Sequence, residues 1–174
     1  MKALDPFVIN FASLKKGKQS LTILLDNKFF ANFDFFDFDQ VQLKTNIEIE
    51  KQENIFNFFL VISGCVDVLC DLSMETFKLP VSSNFNFSVK FGDATKNIND
   101  ELLVFPHGTK DFNISQQIYE TVVLSVPEKK IHPGVRDGSL KSVILEKLES
   151  LKPNSKKFPR SNDPRWNKLK DLLN

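Results

Sequence analysis

Glycine is scarce in this chain, six residues in 174, and each stands alone. Loops that cradle phosphates need glycines at short fixed spacings, so neither the dinucleotide nor the P-loop pattern is present. Cysteine is scarcer still, at two. The stretch Met1 to Lys18 lacks the apolar centre and small-residue cleavage site of a secretory signal. Two cysteines without a signal point to a reducing, cytoplasmic setting rather than a disulfide framework. There is no run of about 18 apolar residues, so no transmembrane helix and no membrane partner are expected. Ser125 and Ser139 lack a nucleophile-elbow context, and no pair of carboxylates sits where their pKa values would be driven apart. No catalytic residue is legible, and no enzyme activity or cofactor is expected.

A metal site has few donors to draw on. Cys65, Cys70, His107 and His132 could complete a tetrahedral zinc, yet positions 65 and 70 of one strand face opposite ways. Structural zinc pairs lie two to four residues apart. Two buried or half-buried free thiols are the plainer reading, and no metal ligand is assigned.

What the chain has in abundance is phenylalanine, 18 residues against one Trp and one Tyr. Exposed aromatics on a sheet can stack bases, but most of these share an alternating pattern with Leu, Ile and Val, as a core does. Phe33, Phe35, Phe36 and Phe38 are the ones free to be exposed. The longest alternation runs over even positions: Phe56, Phe58, Leu60, Ile62, Gly64, Val66, Val68, Cys70, Leu72 and Met74. The phase then flips to odd positions from Phe77 to Phe91. A period of two puts one strand face inside and one in water. Ten such positions would reach roughly 60 Å at about 3.3 Å per residue. A bend or break is therefore expected at Gly64, and a turn or bulge near residues 70–75. The result is a long antiparallel hairpin on which the rest packs.

Around it, Phe7–Phe11 and Leu21–Leu25 suggest an opening hairpin across a basic turn at Lys15–Lys18. Asp26 is placed to cap a helical turn carrying Phe29, Phe30 and Phe33. Val41 to Ile49 alternate as a strand with one charged face. Residues 92–100 look like an exposed turn, and 101–105 like a short strand stopped by Pro106. Asn113 with Gln116 suggests a capping box opening a helix over about 114–125, with Ile118, Val122 and Val126 on its apolar face and Pro127 ending it. A short, weakly capped helical pattern follows at Val143–Leu151.

Charge divides the chain. Up to Glu128 there are 11 Lys+Arg against 17 Asp+Glu, a balance of −6; from Lys129 there are 12 against 5, a balance of +7. A basic extension on an acidic body fits a polyanionic partner, as it also fits a merely solvated tail. Asp163 and Pro164 are good first residues for a closing helix, whose Trp166, Leu169 and Leu173 share a face. Barely three turns need a surface to dock on, either a partner or the chain's own body.

Three blocks carry a resemblance: Gly64-Cys65-Val66-Asp67-Val68-Leu69-Cys70-Asp71-Leu72-Ser73-Met74-Glu75 with the strand over 85–91; Phe112-Asn113-Ile114 through Leu124-Ser125-Val126-Pro127 to His132; and Asp163-Pro164-Arg165-Trp166 with Leu169-Lys170. In this order and spacing the chain resembles the large ribosomal RNA subunit accumulation protein (YceD-type) family, the last block being similar to the ending of its Bacteroidetes-like members. The resemblance implies a cytoplasmic, non-enzymatic role in synthesis, processing or stability of large-subunit rRNA. Many members of the family carry Cys-x-x-Cys where this chain has Cys70-Asp71-Leu72-Ser73. The second thiol is absent here and the usual basic residue is Leu72, which removes one metal or thiol partner and one RNA contact.

The expectation is an α+β chain: residues 1–128 form a twisted, mainly antiparallel sheet (meander and hairpins) with one packed helix, and 129–174 a basic linker and C-terminal helix. Nucleic-acid contacts are assigned to Lys129, Lys130, Arg136, Lys156, Lys157, Arg160, Arg165, Lys168 and Lys170, and partner docking to Trp166, Leu169 and Leu173. The expected partners are large-subunit rRNA or a large-subunit ribosomal protein. A protein-interaction module docking through the closing helix is the alternative, and a zinc protein the third.

Overall fold

The structure is a computed structural model that describes residues 5–92, 96–99 and 101–152. Three long strands form its frame: β3 (Gln40–Lys51), β4 (Ile55–Leu69) and β5 (Thr76–Gly92), paired antiparallel in sequence order. Phe56, Phe58, Leu60, Ile62, Val66 and Val68 of β4 are all buried, between Val41, Leu43, Ile47 and Ile49 of β3 and Phe77, Val81, Phe87 and Val89 of β5. Each such side chain contributes about 1.5–3 kcal/mol through removal from water. The alternating sequence therefore fixes which way the meander faces.

β4 does not break at Gly64. Its pairing runs unshifted through Leu43↔Gly64 and Gly64↔Val81. The glycine is needed instead for its backbone angle, φ +146°, and for space: a Cβ there would lie 2.2 Å from the Gln42 carbonyl oxygen. The phase flip is a turn over 70–75, closed by the Cys70 N–H on the Glu75 carbonyl (2.9 Å) and the Met74 N–H on the Cys70 carbonyl (3.0 Å). Met74 adopts φ +58°. The buried run consequently ends at Cys70: Leu72 and Met74 are exposed, and Ser73 turns inward.

The N-terminal hairpin does not form. β1 (Val8–Asn10) pairs with β8 (Asp111–Asn113) in a separate two-stranded ribbon, while β2 (Gly17–Leu25) pairs with β3. Alternation in both segments is real, but a periodicity of two names no partner. Residues 96–99, expected as turn, form β6, antiparallel to β7 (Leu102–Pro106). β7 lies parallel to β5 over 88–92, giving the sheet order β2-β3-β4-β5-β7-β6. The fold is α+β with a mainly antiparallel sheet, as the alternating strands required.

Helix α1 (Asn27–Ala31) starts on Asp26, whose carboxylate accepts from the Phe29 N–H at 3.2 Å. Helix α2 (Ser115–Ser125) packs Ile118 and Val122 inward and lies against β5. No capping box forms: the Asn113 carboxamide oxygen accepts from Ser115 N–H (2.9 Å), and Gln116 reaches forward to Glu120 (2.6 Å). Tyr119 stacks on Phe33, ring centres 4.4 Å apart, and touches Phe30 and Phe35, which ties α2 to the loop after α1. A second aromatic group gathers Phe11, Phe58, Phe87 and Phe105 about Phe112. Of the four phenylalanines singled out as free to be exposed, Phe36 is exposed at 73%, Phe33 and Phe35 are half-buried, and Phe38 is buried.

The described residues fall into two compact units that divide between His132 and Pro133. In the second, α3 (Pro133–Arg136) closes with the Leu140 N–H on the Gly134 carbonyl (2.8 Å). α4 (Val143–Leu151) is capped by the Ser142 hydroxyl, which accepts from Ile144 N–H at 3.3 Å. Among the described residues, no helix is long and apolar enough to cross a membrane.

Candidate functional site

The segment after α2 returns to the turn between β4 and β5 and is pinned there by backbone chemistry. The Asp71 N–H donates to the Lys130 carbonyl (2.8 Å), and the Lys130 N–H donates to the Asp71 carboxylate (2.6 Å). Two residues on, the His132 N–H donates to the Cys70 sulfur at 3.2 Å, and the His132 ring meets Phe77 edge to face at 5.4 Å. The same sulfur accepts from Ser73 N–H at 3.5 Å. Burial pushes the Cys70 thiol up, but donors from His132, Ser73 and Leu72 outweigh it and hold the thiol below the ordinary cysteine value. Hydrogen bonds to the charged form of a group favour that form. Cys70 is thus an acceptor post for the returning chain, fully buried and shielded from reagents.

This clasp fixes where two of the expected phosphate contacts stand. Lys129 is exposed and Lys130 half-buried, adjacent on the pinned segment. Arg136 ends α3 in the second unit and is exposed. Lys156, Lys157, Arg160, Arg165, Lys168 and Lys170, with Trp166, Leu169 and Leu173, lie outside the described residues. Cys65 is half-exposed and Cys70 buried, and both are free. Among the described residues, no three His, Cys, Asp or Glu side chains gather as a metal site.

Sequence reasoning missed the role of Asp71 and Cys70 as clasp residues. Their only signal was a turn-forming Cys-Asp-Leu-Ser at the phase flip, and nothing in it names Lys130 or His132 as partners. It also missed a groove of about 250 Å³ beside α2, lined by Ser83, Asn84 and Phe85 of β5 and by Gln117, Glu120 and Leu124 of the helix, among others. The Gln117 carboxamide oxygen is itself buried, without a hydrogen-bond donor.

By its described parts this is an α+β protein with a mainly antiparallel sheet and a basic segment clasped to its main hairpin. The family model of the large ribosomal RNA subunit accumulation protein YceD matches residues 60–173, and the chain belongs to that family. The match begins in β4 and takes in the clasp, α2 and the basic extension. The family is named for accumulation of an RNA, not for a reaction. No curated protein and no solved structure matches the chain.

Proposed function

We propose that the protein is a non-enzymatic, cytoplasmic factor in ribosome biogenesis that supports synthesis, processing or stability of large-subunit rRNA by binding the rRNA or an early assembly protein. The family match over residues 60–173 carries this reading. The division of charge supports direct RNA contact: a body of balance −6 carries an extension of balance +7. Lys129, Lys130, Arg136, Lys156, Lys157, Arg160, Arg165, Lys168 and Lys170 supply the phosphate contacts, and Trp166 with Leu169 and Leu173 forms an anchor that stacks on a base or docks on a ribosomal protein.

Phosphate binding releases counterions and is steeply salt-dependent. Even four of these nine cations on phosphates of single-stranded RNA predict roughly a fifty-fold weaker affinity at 200 mM salt than at 50 mM. Crosslinking followed by sequencing of the bound RNA from cells is the decisive measurement. Enrichment of large-subunit rRNA that declines with salt upholds the proposal; equal recovery at both salt concentrations, or no enrichment, defeats it. Trp166→Ala separates the two modes of anchoring, since loss of a protein partner with RNA binding intact assigns the closing segment to protein docking.

A further inference from the structure

β5 is flanked by β4 along nearly its whole length but by β7 only from Ser88 to Gly92. Among the described residues, no strand stands beside its other edge from Thr76 to Phe87. The Ser88 N–H points to the β7 side, where it donates to the Glu101 carbonyl at 2.7 Å. Pairing with β4 is unshifted along β5, and backbone groups alternate in direction along a strand. The N–H and C=O groups of Ser82 and Asn84 therefore point out of this edge as well. Pro80 occupies the same phase, where a missing N–H costs no pairing with β4. Pro80 blunts one end of the edge, as edge strands commonly are blunted. Ser82, Ser83 and Asn84 carry no such protection.

The unprotected stretch forms one wall of the groove beside α2. Two features there stand without a partner. Among the described residues the edge lacks a neighbouring strand, and Leu124, which lines the groove, stands 84% exposed. Among the lining residues the one charge is the Glu120 carboxylate, and the surrounding body, up to Glu128, is acidic by six charges.

We propose that this groove takes an extended basic segment of a partner protein as an added strand on β5, with lysines or arginines alternating with aliphatic residues. The added backbone pairs with Ser82 and Asn84; the aliphatic side chains of one face cover Phe85 and Leu124, and the cations of the other face are held by the field of the acidic body, to which Glu120 at the groove adds. Main-chain pairing supplies affinity in this mode, and alternate side chains supply specificity. The inference deepens the biogenesis reading by naming a partner class. It rests on that reading for cellular setting alone.

The test uses the full chain and a labelled nonapeptide of alternating lysine and valine. Anisotropy measures affinity, and amide NMR locates the site. The lysine–valine peptide is expected to bind, to shift the Ser82 and Asn84 amides and to slow their hydrogen exchange. Its valine N-methylated counterpart, unable to pair, is expected not to bind. Leu124→Lys, on an exposed position that cannot disturb the core, should weaken binding roughly tenfold by like-charge repulsion. Glu120→Lys should shift preference towards a glutamate–valine peptide. Equal binding of the N-methylated peptide, binding that leaves Ser82 and Asn84 unmoved, or a Kd above about 1 mM for the lysine–valine peptide overturns the proposal. So does a short oligouridine that moves those two amides when the peptide does not, since the groove would then serve RNA. Peptide binding that survives in a protein with no rRNA association would sink the biogenesis reading and leave this one standing.

Discussion

At Gly64 a single hydrogen atom decides whether two strands can meet. The φ of +146° and the 2.2 Å that would separate a Cβ from the Gln42 carbonyl oxygen exclude every side chain. Gly64→Ala is expected to cost about 2–4 kcal/mol, through backbone strain and forced separation of β3 from β4, read as a lower urea midpoint at unchanged slope. Cys70 makes the second residue-scale prediction. Its folded thiol lies below the ordinary value despite burial, because the donors from His132, Ser73 and Leu72 prevail. A group whose folded pKa is depressed adds stability as pH rises through the window between that value and the unfolded thiol's, at about 8.5. The advantage is lost as pH falls through the folded value. The stability difference between wild type and Cys70→Ser should therefore widen from pH 6 to about pH 9. A difference that stays flat across that range would mean these donors do not hold the thiol below its ordinary value.

Among the elements, the β1–β8 ribbon does more than its three-residue strands suggest. It sets Phe112 against Phe11, Phe58, Phe87 and Phe105, so the N-terminal strand and the sheet share one aromatic group. Phe112→Ala is expected to cost about 3–5 kcal/mol, the transfer term plus the cavity left behind. Phe36→Ala, at a position 73% exposed, should stay within about 0.5 kcal/mol of wild type. Denaturant unfolding of the pair separates phenylalanine as core from phenylalanine as surface. The ribbon also shows a limit of pattern reading. Phe7, Ile9 and Phe11 announce a half-buried strand, and all three are buried. What pairs with that strand lies about a hundred residues away, at Asp111–Asn113, and no local signal carries it.

Across the whole molecule, folding and the proposed binding fall largely to different stretches. The first unit closes at His132, the residue whose N–H rests on Cys70. A chain ending at His132 is expected to unfold within about 0.5 kcal/mol of the full chain, as an independent core should. It should also lose most of its RNA affinity, because ten of the twelve basic residues from Lys129 onward lie beyond that point. Parallel unfolding and RNA-binding measurements on the two chains check both halves of this expectation.

The long strands, their inward faces, helix α2 and the acid–base division of the chain were settled by the sequence itself, because period-two and period-four apolar patterns and charge are local properties that burial and water enforce in place. Tertiary structure alone decided the pairings: β1 with β8, β7 parallel to β5, Lys130 on Asp71, and the open edge facing α2. These depend on which distant backbone arrives alongside, and a hydrogen-bonding group carries the same N–H or C=O whatever its neighbours in sequence.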